Sequence, residues 1–196
     1  MIAWLAAAAF AGDLLARQED PDIRIVARAI REQWNDAAIG TVYQTGGWLG
    51  GLGAVVPIRG ALAVDIELSW RRITKDDVVF EIVPLTGLVE LGMPTREDGS
   101  LTLWVAAGPA MAYFSERAAP DPEGFSVTSG ARICAEGRAG LRVDTGLVQP
   151  VMAPASQGPF EAIELELYVA RRASAPGGKG FELGAWRLGV GLSMRI

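Results

Sequence analysis

A strict two-residue period restricts this chain more than any other feature. Across residues 61–72, Leu62, Val64, Ile66, Leu68 and Trp70 alternate with Ala63, Asp65, Glu67, Ser69 and Arg71. Successive side chains of an extended strand point to opposite faces, so this run predicts a strand with one apolar and one polar face. Residues 130–144 repeat the pattern: Ala131, Ile133, Ala135, Ala139, Leu141 and Val143 oppose Arg132, Cys134, Glu136, Arg138, Arg142 and Asp144. So do Ile163, Leu165, Leu167 and Val169 against Glu164, Glu166, Tyr168 and Arg172, and Trp186, Leu188, Val190, Leu192, Met194 and Ile196 against Arg187, Gly189, Gly191, Ser193 and Arg195.

Two further runs are milder. In residues 101–114, Leu103, Val105, Ala107, Met111 and Tyr113 oppose mostly small residues, Ala106, Gly108 and Ala110 among them. In residues 77–93, Phe80 and Ile82 share one parity and Leu85, Val89 and Leu91 the other, which places a bulge or bend at Pro84, a residue with no N–H for a ladder. Turn-rich stretches separate the runs at 58–60, 94–100, 116–124, 146–159 and 173–180. Two more strands in residues 40–57, broken near Gly46-Gly47, bring the expected number to eight.

The N-terminal part reads differently. The apolar run from Ile2 to Phe10, with Ala9-Phe10-Ala11 in a small-x-small pattern, predicts a secretory signal peptide over residues 1–11; a buried N-terminal helix is the competing reading. Residues 12–39 form a second segment. In it a helix is expected over about 20–36, with Asp20 as cap, Pro21 in the first turn, and Ile23, Val26, Ala27, Ile30 and Trp34 on one face. Residues 40–196 form the β domain.

Composition excludes whole classes of activity. The 196 residues contain no histidine and one cysteine, Cys134. Histidine-based acid/base catalysis, Ser-His or Cys-His nucleophile pairs and histidine-ligated metals are therefore absent, as are internal disulfides and thiolate zinc sites. With half of its residues hydrophobic, the chain has enough apolar surface to fold. Its net charge of −5 opposes nucleic-acid binding, which needs a basic field. No stretch supplies about 20 uninterrupted apolar residues for a membrane-spanning helix.

Antiparallel strands of this length close in two ways. A membrane barrel turns its apolar face to lipid and its polar face inward. A soluble lipocalin-like barrel does the reverse. Both give the same alternation, so periodicity leaves the choice open. The polar face favours the membrane form: small residues (Ala106, Gly108, Ala110, Gly189, Gly191, Ser193) sit among arginines and carboxylates, a mixture that suits a narrow filled interior. Trp70, Phe80, Tyr113 and Trp186 lie toward strand ends, as in an interfacial aromatic girdle.

Three stretches carry a family resemblance. VVFEIVPLTGLVELGMP (78–94) and LTLWVAAGPAMAYF (101–114) resemble a strand–short turn–strand unit, and WRLGVGLSMRI (186–196) resembles the C-terminal signal read by the barrel-assembly machinery, although it ends in Ile196 where Phe or Trp is usual. On these the chain is similar to the small bacterial outer-membrane β-barrels of the OmpA transmembrane-domain type. The resemblance implies an all-β, closed, antiparallel up-and-down transmembrane barrel of eight strands in the bacterial outer membrane, with the short N-terminal helix on its periplasmic side. It also implies outer-membrane lipid and the assembly machinery as partners, and no cofactor or metal.

The membrane reading sorts the side chains. Leu62, Val64, Ile66, Leu68, Trp70, Ile163, Leu165, Leu167, Leu188, Val190 and Leu192 would face lipid. Asp65, Glu67, Arg71, Arg132, Glu136, Arg138, Arg142, Glu164, Glu166, Arg172, Arg187 and Arg195 would face the lumen, and must pair there because isolated buried charges are costly. The expected role is then structural or surface-interacting, not enzymatic: Glu164 and Glu166 are two apart through strand alternation alone. A soluble periplasmic barrel with an apolar ligand and a narrow solute pore are the alternatives. Both termini and the helix would be periplasmic, with the helix across the periplasmic mouth, and the loops at 72–77, 116–128 and 173–181 would face outward.

Overall fold

The computed structural model describes residues 23–35, 46–75, 78–96, 99–118, 127–146, 162–174 and 183–195. They form eight strands: β1 (Arg24–Trp34), β2 (Gly46–Arg59), β3 (Leu62–Lys75), β4 (Val78–Pro94), β5 (Leu101–Ala118), β6 (Val127–Asp144), β7 (Ala162–Ser174) and β8 (Ala185–Arg195). Each strand pairs antiparallel with its sequence neighbour, and β1 pairs with β8, so the sheet closes in simple up-and-down order. Closure leaves no strand edge, which a barrel wall in hydrocarbon requires because no solvent is there to satisfy a free N–H or C=O.

The strands are staggered. Following the register once around the wall from Arg24 leads back to β1 at Trp34, ten residues on. For eight strands this stagger corresponds to a tilt of about 40° from the barrel axis. One end of the barrel carries Arg24, Arg195, the β2–β3 turn at Gly60 and the β4–β5 turn, both turns using a glycine at positive φ (Gly60, 55°; Gly99, 69°). The other end carries the β1–β2, β3–β4, β5–β6 and β7–β8 connections.

The six runs expected as strands are strands β3 to β8. Three expectations need correction. First, the residues expected to be a helix over about 20–36 are strand β1 from Arg24 to Trp34; residues 20–22 lie outside the described residues. The helical spacing of Val26, Ile30 and Trp34 coexists with strand alternation, since these residues together with Arg24, Arg28 and Glu32 share one parity. Pairing decides: without β1 the edge of β8 is open. The barrel therefore begins at Arg24 rather than in the 40s, and Trp34 lies at the end opposite the C-terminus, not across the mouth beside it. Second, the eighth strand that the expected pair in residues 40–57 was to supply is β1: residues 46–59 form one strand that begins at Gly46, and residues 40–45 lie outside the described residues. Third, there is no bulge at Pro84. The register of β4 with β3 and with β5 is unchanged on both sides of it; the ladder to β3 merely lacks the pairs opposite Val83 and Pro84. The signal-peptide reading over residues 1–11 lies outside the described residues.

Candidate functional site

Alternation along each strand sends one set of side chains into the lumen and the other outward. The outward set is apolar. Ile66, Leu68, Trp70, Leu165, Leu167, Leu188, Val190 and Leu192 are exposed, and Leu62, Val64 and Ile163 on the same face are half-buried. Leu68 and Trp70 each keep 53% of their surface accessible, while their strand neighbours Glu67 and Ser69 keep 1% or less. This inverts a soluble protein, in which lone charged residues are almost never fully buried. Trp48 joins Trp70, Tyr113 and Trp186 as outward aromatics. Phe80, expected among them, points inward and is fully buried, stacked on Phe114 with centroids 6.4 Å apart.

The lumen holds a continuous ion-pair lattice in three levels. At the end carrying Arg24 and Arg195, Arg142 donates through Nη1 to Glu90 Oε1 (3.1 Å) and through Nη2 to Glu166 Oε1 (2.7 Å). Arg24 also donates to Glu90 (2.9 Å), and Arg195 to Glu164 (2.6 Å). In the middle, Arg28 and Arg138 each bind both Asp65 and Glu67, at 2.9–3.2 Å. Arg28 reaches down to Glu166 (3.1 Å) and Arg138 up to Glu136 (2.7 Å), which joins the levels. Above them Arg187 Nη1 lies 2.9 Å from both oxygens of Glu136, and Arg172 bridges Glu136 (3.0 Å) and Glu32 (3.2 Å).

In this lattice seven arginines meet seven carboxylates. With seven charges of each sign, the lattice itself balances. The pairing also offsets desolvation that would otherwise forbid these charges inside. Of the sequence-named lumen residues, Arg71 is buried but donates to the Gly46 carbonyl (2.9 Å), outside the lattice, and Arg132 is only half-buried. The others are brought together. Sequence reasoning missed Arg24, Arg28, Glu32 and Glu90. The first three sat in the supposed helix. Glu90 sat in β4, whose faces looked exchanged.

Apolar groups complete the filling. Tyr168 lies beneath two guanidiniums, with the carbons of Arg28 and Arg138 5.8 and 5.3 Å from its ring centroid, and tilts against Trp104 at 5.7 Å. Gly189 faces this ring so closely that any β-carbon there would overlap it. Gly47 likewise leaves the space that the Arg71 guanidinium occupies. Toward the end with the β3–β4 connection, Trp34, Ile73, Phe80, Ile82, Phe114 and Leu183 pack into an apolar plug that includes Cys134. The small inward residues therefore make room for large partners from other strands. Ser69 donates to Glu67 (2.6 Å) and Ser193 to Glu164 (3.1 Å), and among the described residues no acid or thiol cluster suits a metal ion.

Comparison with solved structures places this geometry in context. Neisserial surface protein A matches with a TM-score of 0.61 at 10% identity, over 91% of this chain and 100% of that one. The outer membrane protein OprG of Pseudomonas aeruginosa matches with a TM-score of 0.56 at 9% identity, over 90% and 96%. Ail, the attachment invasion locus protein of Yersinia pestis, solved with the heparin analogue sucrose octasulfate, gives 0.50 at 11%, over 90% and 97%. No protein-family model matches the chain, and no curated protein matches it by sequence. The chain thus shares the fold of these proteins, with sequence identity too low to carry more than the fold.

Proposed function

We propose that this chain is a bacterial outer-membrane barrel with a structural or surface-interaction role and a lumen closed by its ion-pair lattice. One observation carries the reading: large apolar side chains cover the outside of the wall, while Asp65, Glu67, Glu166 and Arg172 are fully buried inside it. In water the outward face would leave its large apolar side chains exposed; in a bilayer they meet acyl chains, while the paired lumen stays enclosed. Residues 1–11 act as its signal peptide, and the C-terminal strand β8 presents the assembly signal. The end carrying the termini and the short turns faces the periplasm, and the four connections at the other end face outward, available to a surface partner. No enzymatic role is assigned, because every lattice carboxylate is held by arginine.

The test is fractionation with heat-modifiable gel migration. A protein found in the outer-membrane fraction that migrates differently before and after boiling fits the proposal. Residence in the aqueous fraction without detergent would favour a soluble ligand-binding barrel. In planar bilayers the purified protein is expected to be silent; stepwise conductance would reassign it as a narrow pore.

A further inference from the structure

The outward wall is not apolar throughout. Arg31 of β1 and Arg171 of β7 both point outward and are exposed, on either side of β8. Their cross-strand neighbours offer no charge. Arg31 stands opposite Trp48 and Leu188, and Arg171 opposite Gly137 and Trp186. The Arg171 guanidinium carbon lies 4.8 Å from the Trp186 ring centroid. Among the described residues neither arginine forms an ion pair, whereas Arg72 on the same outer part of the wall has Glu81 at 3.7 Å. Both arginines fall three residues short of the strand ends that lead to the outward connections.

A guanidinium on a lipid-facing wall is unfavourable unless it reaches an anion at the interface. Arg31 is level with Leu188 and Arg171 with Trp186, two residues apart along β8, so across that strand their backbones stand about 12 Å apart and a single phosphodiester headgroup serves only one of the two guanidiniums. We propose that Arg31 and Arg171, with Trp48 and Trp186 beside them, bind the two phosphates of a bisphosphorylated glycolipid in the outer leaflet. Each planar guanidinium grips one phosphate with paired N–H donors. The Trp186 ring holds the Arg171 fork in place, and the indoles sit at headgroup depth, where their mixed character suits them.

This site rests on the outer-membrane placement proposed above. The test uses the full-length mature protein refolded in phosphatidylcholine nanodiscs and titrated with bisphosphorylated lipid A, monophosphoryl lipid A and phosphatidylglycerol, with tryptophan fluorescence as the readout. The expected result is an affinity for the bisphosphorylated form about tenfold above that for the monophosphoryl form, and a drop of about tenfold in R31Q or R171Q. R31K and R171K, which keep the charge and lose the fork, fall in between. R59Q, at the opposite end of the barrel, binds as the wild type does. Equal binding of all three lipids, or undiminished binding by the double R31Q/R171Q variant, overturns the site. Such a result with an intact, heat-modifiable barrel in the membrane leaves the outer-membrane placement standing; residence in the aqueous fraction removes both.

Discussion

Substitution of Glu136 by Gln removes one charge from a carboxylate that three arginines share and changes the shape of the lumen very little. Glu136 accepts from Arg138 Nε at 2.7 Å, from Arg172 Nε at 3.0 Å, and from Arg187 Nη1 at 2.9 Å on each oxygen. A glutamine keeps one acceptor oxygen and turns an NH2 group toward guanidinium donors. Charge-assisted bonds contribute about 1.5–3 kcal/mol each, and two of them are lost outright. Breaking a buried pair from one side costs about 3–5 kcal/mol by independent reasoning, because the surviving arginines stay buried. Both routes put the expected loss near 3–5 kcal/mol. Urea unfolding in lipid vesicles, followed by tryptophan fluorescence, measures it. Glu81→Gln is the control: the same chemistry on an exposed pair with Arg72 at 3.7 Å, where about 0–1 kcal/mol is expected. If E136Q stays within about 0.5 kcal/mol of the wild type, as an ordinary surface change does, the lattice is not holding the barrel together and the reasoning is refuted.

Three other outcomes follow from the same geometry. Gly189→Val drives a side chain into the Tyr168 ring and lowers stability by about 1–3 kcal/mol, seen as a lower temperature for loss of the unboiled gel band. Tyr168→Phe changes stability little, because the Tyr168 hydroxyl makes no hydrogen bond among the described residues, whereas Tyr168→Ala loses about 3–5 kcal/mol; equal effects in urea unfolding would contradict the packing role of the ring. On intact cells a membrane-impermeant maleimide labels Arg117→Cys and spares Arg96→Cys, since Arg117 and Arg96 are exposed at opposite ends of the barrel; the opposite pattern inverts the orientation.

Where one face of a strand was apolar and the other charged, as in β3, β7 and β8, the sequence alone sufficed, because the two-residue period then has no helical competitor. β1 hid its period. Its inward face carries Arg24, Val26, Arg28, Ile30, Glu32 and Trp34, and its outward face Ile25, Ala27, Ala29, Arg31 and Gln33, so both faces mix apolar and polar residues. The signal that points to it is topological: a closed sheet needs a second partner for β8 beside β7. The lumen was half legible for a related reason. The assumption that inward means polar recovers Asp65, Glu67 and Arg138, but it misses a lumen that also contains Phe80, Ile82, Trp104 and Leu88. An interior this narrow is filled by volume as well as by charge, and the pairs that fill it come from strands far apart in sequence.

Paramagnetic relaxation of methyl groups by spin-labelled acyl chains tests the central claim most directly. With isoleucine, leucine and valine methyls labelled and the barrel in nanodiscs, lipids carrying a spin label in mid-chain should broaden Ile66, Leu68, Leu188, Val190 and Leu192. They should spare Val26, Ile30 and Leu88, which are buried inside the wall. The reverse pattern, or broadening of the first group by a water-soluble agent in place of the lipid label, would put the apolar face somewhere other than in the bilayer and contradict the account.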